Sequence, residues 1–100
     1  MIKIKNEIIQ EAVAYTGVDE KIIRGKSRKL DNVMIRDAIC VAMKELHGFT
    51  DESIARSIGR DRSSVSHIQR RHAKRLEKVP AYRVLFDHLI NSSIAKGGAS

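Results

Sequence analysis

Along the long stretches between glycines of this 100-residue chain apolar residues recur at intervals of three and four rather than in strict alternation, and the only proline is Pro80. That spacing is the mark of amphipathic helices rather than half-buried strands. The expected fold is therefore all-α, a small bundle of about six helices. Ile4, Ile8, Ala12 and Tyr15 mark one face of a first helix, which Gly17 can end. Asp19 is placed to cap a short second helix that runs out near Gly25, and Asp31 or Asn32 can cap a third. In that third helix Val33, Ile35, Ala38, Ile39, Val41, Ala42, Met43 and Leu46 fall nearly all round the axis, as expected of a central, buried element with Gly48 as its stop. Pro80 suits the first turn of a final helix whose Tyr82, Leu85, Phe86, Leu89 and Ile90 make one apolar face. Residues 1–94 read as one domain and 95–100, which have nothing to bury, as a fraying tail.

Charge narrows the partner. Nineteen Lys and Arg against 12 Asp and Glu give a formal net charge of +7, which favours a polyanion, nucleic acid first. Cys40, the only cysteine, lies in an apolar stretch, so it reads as a buried thiol and no intramolecular disulfide is possible. Met1 to Gln10 alternates charged and apolar residues without the apolar run of a signal peptide, and no segment suits a bilayer. The expectation is a soluble, cytoplasmic protein with no membrane partner. His47, His67, His72 and His88 lack metal-ligand spacing, so no metal is expected. Ser63, Ser64 and Ser66 near His67 read as caps or DNA ligands rather than nucleophiles, which leaves no catalytic residues and no enzyme. Tyr15, Phe49, Tyr82 and Phe86 sit at core spacing and do not suggest a stacking platform for single strands.

Two stretches carry the functional signal. The first is Arg24-Gly-Lys-Ser-Arg-Lys29, four basic residues without an apolar partner, which reads as an exposed basic loop including Lys26 and Arg28. The second is Asp51 to Gln69, which meets the demands of a helix-turn-helix: Ala55 as the small residue, Gly59 in the turn, and Ile54, Ile58, Val65 and Ile68 to lock the two helices together. Asp61 can cap the second of them. On its wheel Val65, Ile68, His72, Leu76 and Val79 share one side, with Ser63, Ser66, His67, Arg70 and Lys74 roughly opposite. A polar, basic outward face suits the major groove, early residues reaching base edges and later ones phosphates. Arg62 can bridge guanine O6 and N7, and Arg28 can enter a minor groove.

These residues resemble the C-terminal DNA-binding domain of the bacterial replication initiator DnaA over about Ile8 to Ile90. The carriers are Gly25-Lys-Ser-Arg-Lys29, Arg36 leading into a central helix that ends Lys44-Glu-Leu46, and Gly59-Arg-Asp-Arg-Ser-Ser-Val65 followed by His67. The resemblance implies a Trp-repressor-like helix-turn-helix and binding, one monomer per site, to short asymmetric duplexes called DnaA boxes. It implies Arg28 as a minor-groove arginine, Asp61, Arg62, Ser63 and Ser64 as base readers in the major groove, and Arg36, Lys44 and His67 as further contacts, mostly to backbone. With Lys26, Arg70, Arg71 and Lys74, these form the expected DNA-binding set.

Departures from the family pattern bear on site preference. Arg62 replaces the family's histidine, a glycine is missing before Gly59, Leu30 and Met34 stand where many members are basic, and Asp51 and Glu52 would repel phosphate. The Gly25-Lys-Ser27 triplet is not a phosphate loop, since it lacks the preceding strand and the spaced glycine. Neither ATP binding nor a nucleotide cofactor is expected, and the resemblance points to a free-standing regulator, phage-encoded or on a mobile element, or a competitor for initiator sites. Two other readings stand beside it: a module that binds a protein such as a replication initiator, and a structured-RNA binder.

Overall fold

A computed structural model describes the backbone of residues 2–25 and 29–98 and the side chains of residues 3–25 and 29–92. Six helices follow in order: α1 Ile2–Thr16, α2 Glu20–Arg24, α3 Leu30–His47, α4 Asp51–Ile58, α5 Arg62–Lys78 and α6 Pro80–Gly98. The fold is all-α, as the periodicity predicts. α3 is the axle: every residue from Ile35 to Met43 is buried, and α1, α2, α4, α5 and α6 all pack on it. Ile8, Ile9 and Ala12 of α1 and Tyr82, Leu85, Phe86 and Leu89 of α6 complete the core from either side.

Local chemistry sets the ends. The Asp19 carboxylate accepts from the Lys21 amide, as expected of the cap of α2. α3 differs from expectation: it starts at Leu30, with Lys29 at the cap position and no side-chain cap bond there, so neither Asp31 nor Asn32 caps it. The extended backbone at Lys29 lets its carbonyl take the first helical bond, from Val33 N–H. Asp31 instead lies in the first turn, where a carboxylate faces the positive end of the helix dipole. α6 is helical to Gly98, past the point where the tail was expected, and the side chains of 95–100 lie outside the described residues.

Two aromatic expectations resolve differently. Tyr15 is 46% exposed and stacks on His88 of α6 at 4.2 Å between ring centroids, so it seals the rim rather than filling the core. Phe49 is buried but sits in the turn between α3 and α4, with the Lys5 ammonium 4.8 Å from its ring centroid. Among the described residues no helix is long and apolar enough to cross a membrane.

Candidate nucleic-acid interface

α4 and α5 meet as a helix-turn-helix demands. Ile54, Ala55, Ile58, Val65 and Ile68 are all buried between them and α3. Gly59 takes φ +66°, a left-handed conformation that side chains disfavour, and its amide closes α4 on the Ala55 and Arg56 carbonyls. Asp61 then opens α5: one carboxylate oxygen accepts from the Ser64 amide at 2.9 Å and from Ser63 Oγ at 3.0 Å. These bonds hold the carboxyl below its ordinary pKa, the Ser64 amide contributing most, so Asp61 is ionised at neutral pH. The candidate base-reading residues Asp61, Arg62 and Ser63 thus share one exposed first turn, with Ser64 half-buried beside them.

α5 divides as its wheel predicts. Val65, Ile68 and His72 are buried, whereas Arg62, Ser63, Ser66, His67, Arg70 and Lys74 are exposed. Among the described residues no carboxylate forms an ion pair with Arg62, Arg70 or Lys74. Arg71 belongs to a different arrangement. It donates to both oxygens of Asp37, which is 2% exposed, and Arg75 pairs with the same carboxylate. Asp37 therefore pins α5 to α3 through two guanidiniums.

Lys26 and Arg28 lie outside the described residues, but both flanks of their loop are described. Arg36 is only 5% exposed: its Nε donates to the Ile23 carbonyl at 2.8 Å and its Nη2 to the Gly25 carbonyl at 3.0 Å. Burial, then the neighbouring Arg60, pull its pKa below the usual arginine value. The side chain expected to reach a DNA backbone thus anchors the end of α2 in this structure. Arg24, expected in the exposed loop, is the last residue of α2, donating to the Ser57 carbonyl and to Asn6 Oδ1. Gly25 is required for close packing, because a Cβ there would lie 2.7 Å from the Lys21 carbonyl oxygen.

Arg60, which the sequence does not single out, supplies the link. It stands in the turn between α4 and α5 and donates to the same Gly25 carbonyl as Arg36. The start of the basic loop is therefore tied to the turn that precedes the recognition helix, with Arg24 reaching the other way, from α2 to the end of α4. A groove lined by Arg36, Asp37, Arg60, Ser64, His67 and Arg71 lies between α3 and α5 beside that turn, the Asp37 carboxylate standing among its cations. Lys44, at the end of α3, is exposed but its ammonium lies 2.9 Å from Asp51 Oδ1.

A helix-turn-helix packed on a buried central helix, with Arg62, Arg70 and Lys74 exposed and in no ion pair among the described residues, defines a helix-turn-helix protein of the nucleic-acid-binding kind. The model of the bacterial dnaA protein helix-turn-helix family matches residues 6–71, and the chain belongs to that family. Its match ends within α5, short of the Ile90 to which the resemblance extends. No curated protein and no solved structure matches the chain. Family membership makes this a DNA-binding chain with double-stranded DNA as its partner.

Proposed function

We propose that the chain recognises short duplex sites related to DnaA boxes and acts in the control of replication initiation or of transcription. In this reading Arg62, Ser63, Ser64 and the free oxygen of Asp61 meet base edges in the major groove. His67, Arg70, Arg71 and Lys74 follow along the backbone, and Lys26 and Arg28 enter the adjacent minor groove. The observation that carries it is the first turn of α5, where a guanidinium, two hydroxyls and an ionised cap stand together, three of these four side chains exposed and no carboxylate pairing Arg62 among the described residues. Arg36 serves by holding the loop's first carbonyl rather than a phosphate. The chain acts as a monomer without cofactor or nucleotide and catalyses no reaction.

Selection of bound duplexes from a random pool at fixed, physiological salt tests this directly, since sequence-independent affinity varies steeply with salt. An enriched short motif with DnaA-box character is the expected result. No enrichment, with binding governed by salt alone, would overturn the specific-reader proposal and favour a module that engages a replication protein.

A further inference from the structure

Asp51 sits between the two ends of the DNA-facing surface. It is the first residue of α4, and both its oxygens are occupied by groups from that surface. Oδ1 lies 2.9 Å from the Lys44 ammonium at the end of α3, and Oδ2 accepts from Ser66 Oγ of α5 at 3.3 Å. Arg62 stands close enough to favour its charged form and lines a shared concavity with Lys44, Thr50, Asp51 and Glu52. The bond from Lys44 is the largest of the contacts that hold the carboxyl below its ordinary pKa. Lys44 remains 42% exposed, so a phosphate can reach it from solvent. Glu52, the neighbouring acid, makes no such contact: it pairs at 3.3 Å with Arg56 on α4 itself, both side chains being more than two-thirds exposed.

We infer that Asp51 is a positioning residue that acts through Lys44, holding its ammonium as a phosphate would and thereby weakening the chain's grip on the duplex backbone irrespective of sequence. The inference rests on the DNA-facing assignment of Arg62 in the preceding section and extends that surface to Lys44, which lines the same concavity. Its physical basis is counterion release: each cation that neutralises a phosphate frees a condensed counterion, and a lysine already neutralised by an internal carboxylate contributes less. Base contacts made by the first turn of α5 do not draw on that term. An internal carboxylate of this kind shortens residence on unrelated DNA while leaving base preference to Arg62 and its neighbours.

The test is the salt dependence of binding to two duplexes, one selected and one unrelated, by the wild-type chain and by Asp51→Asn, Lys44→Ala and the double variant. Asp51→Asn is expected to bind both duplexes about three- to tenfold tighter at low salt, with the slope of log K against log salt steeper by about one unit. In the Lys44→Ala background that gain should disappear, and Glu52→Gln should show little of it. Asp51→Ser serves in place of Asn if the amide unfolds α4. Unchanged affinity and slope in Asp51→Asn would overturn the inference, as would a gain that survives in the Lys44→Ala background. Failure of the wild-type chain to prefer its selected duplex would instead overturn the proposed function, a result read from different wells of the same experiment.

Discussion

The two long faces of α5 use similar residues for opposite ends. On the inner face Arg71, His72 and Arg75 meet a buried carboxylate and a buried tyrosine: the two guanidiniums share Asp37, and His72 Nδ1 lies 2.7 Å from the Tyr82 hydroxyl. On the outer face Arg62, His67, Arg70 and Lys74 are exposed, and none forms an ion pair among the described residues. Only the partner differs. A cation that finds a desolvated carboxylate fixes one helix against another, whereas a cation without one is left to the polyanion that the net charge of +7 anticipates.

The sharpest way to break this division is to remove the inner partner. Asp37→Ala leaves Arg75, 15% exposed, without its counter-charge and frees Arg71. Breaking a buried pair in this way costs about 3–5 kcal/mol, a large part of the roughly 5–15 kcal/mol that holds a domain together. Urea unfolding followed by circular dichroism measures it. A loss below about 1 kcal/mol, the range of exposed pairs, would mean that the inner cations are no more structural than the outer ones.

Arg62→Ala addresses the outer face with the reverse signature. Binding to the selected site should weaken by about 1–3 kcal/mol with relaxed preference at the positions Arg62 reads. Stability should stay within about 0.5 kcal/mol of the wild type, as for surface changes that touch no special feature. A stability loss as large as the binding loss would place Arg62 with the inner set and remove it from the reading turn.

How much of this division was legible beforehand follows from the range of each interaction. The split of α5 into apolar and basic sides, the burial of α3 and the Gly59 turn depend on spacing within a single helix or turn, and periodicity records them. The fates of Arg24, Arg36 and Arg60 do not: their carbonyl partners lie 33, 11 and 35 positions away. Basic residues near a loop look alike in sequence whether they face solvent or close a distant turn. Asp37 carried a usable signal, a carboxylate in the midst of an apolar run, which implies a buried cation somewhere. Nothing local names Arg71 and Arg75 as that cation.

His72, on the inner face of α5, sharpens the comparison by pH. His72 is 8% exposed, packed edge-on to Phe86 and bonded to Tyr82, and burial lowers its pKa below the ordinary 6.5. Between that ordinary value and the lower folded one the unfolded chain binds the extra proton and the folded chain does not. Stability contributed by neutral His72 is therefore fully present above about pH 6.5 and declines as pH falls toward the folded pKa. Urea midpoints from pH 7.5 to 5 should fall less steeply in His72→Gln than in the wild type. Equal slopes in wild type and His72→Gln would mean that His72 is not what sets this dependence.

Lys74 provides the smallest and most specific contrast, because it lies three residues from Arg71 on the same helix and differs from it in having no carboxylate partner. Lys74→Ala should change stability by no more than about 0.5 kcal/mol, and the selected motif should be the same as for the wild type. What should change is the salt dependence: the slope of log K against log salt should fall by about one unit, on selected and unrelated duplexes alike. Arg71→Ala offers the matching measurement on the boundary between faces, since its side chain is 44% exposed while bonded to Asp37. Its exposure discounts the ion pair to about 1 kcal/mol or less, so a stability loss of that size with an unchanged salt slope assigns Arg71 to the inner face. A slope reduced as in Lys74→Ala would show instead that one guanidinium serves both faces, holding α3 in the free protein and turning to a phosphate in the complex.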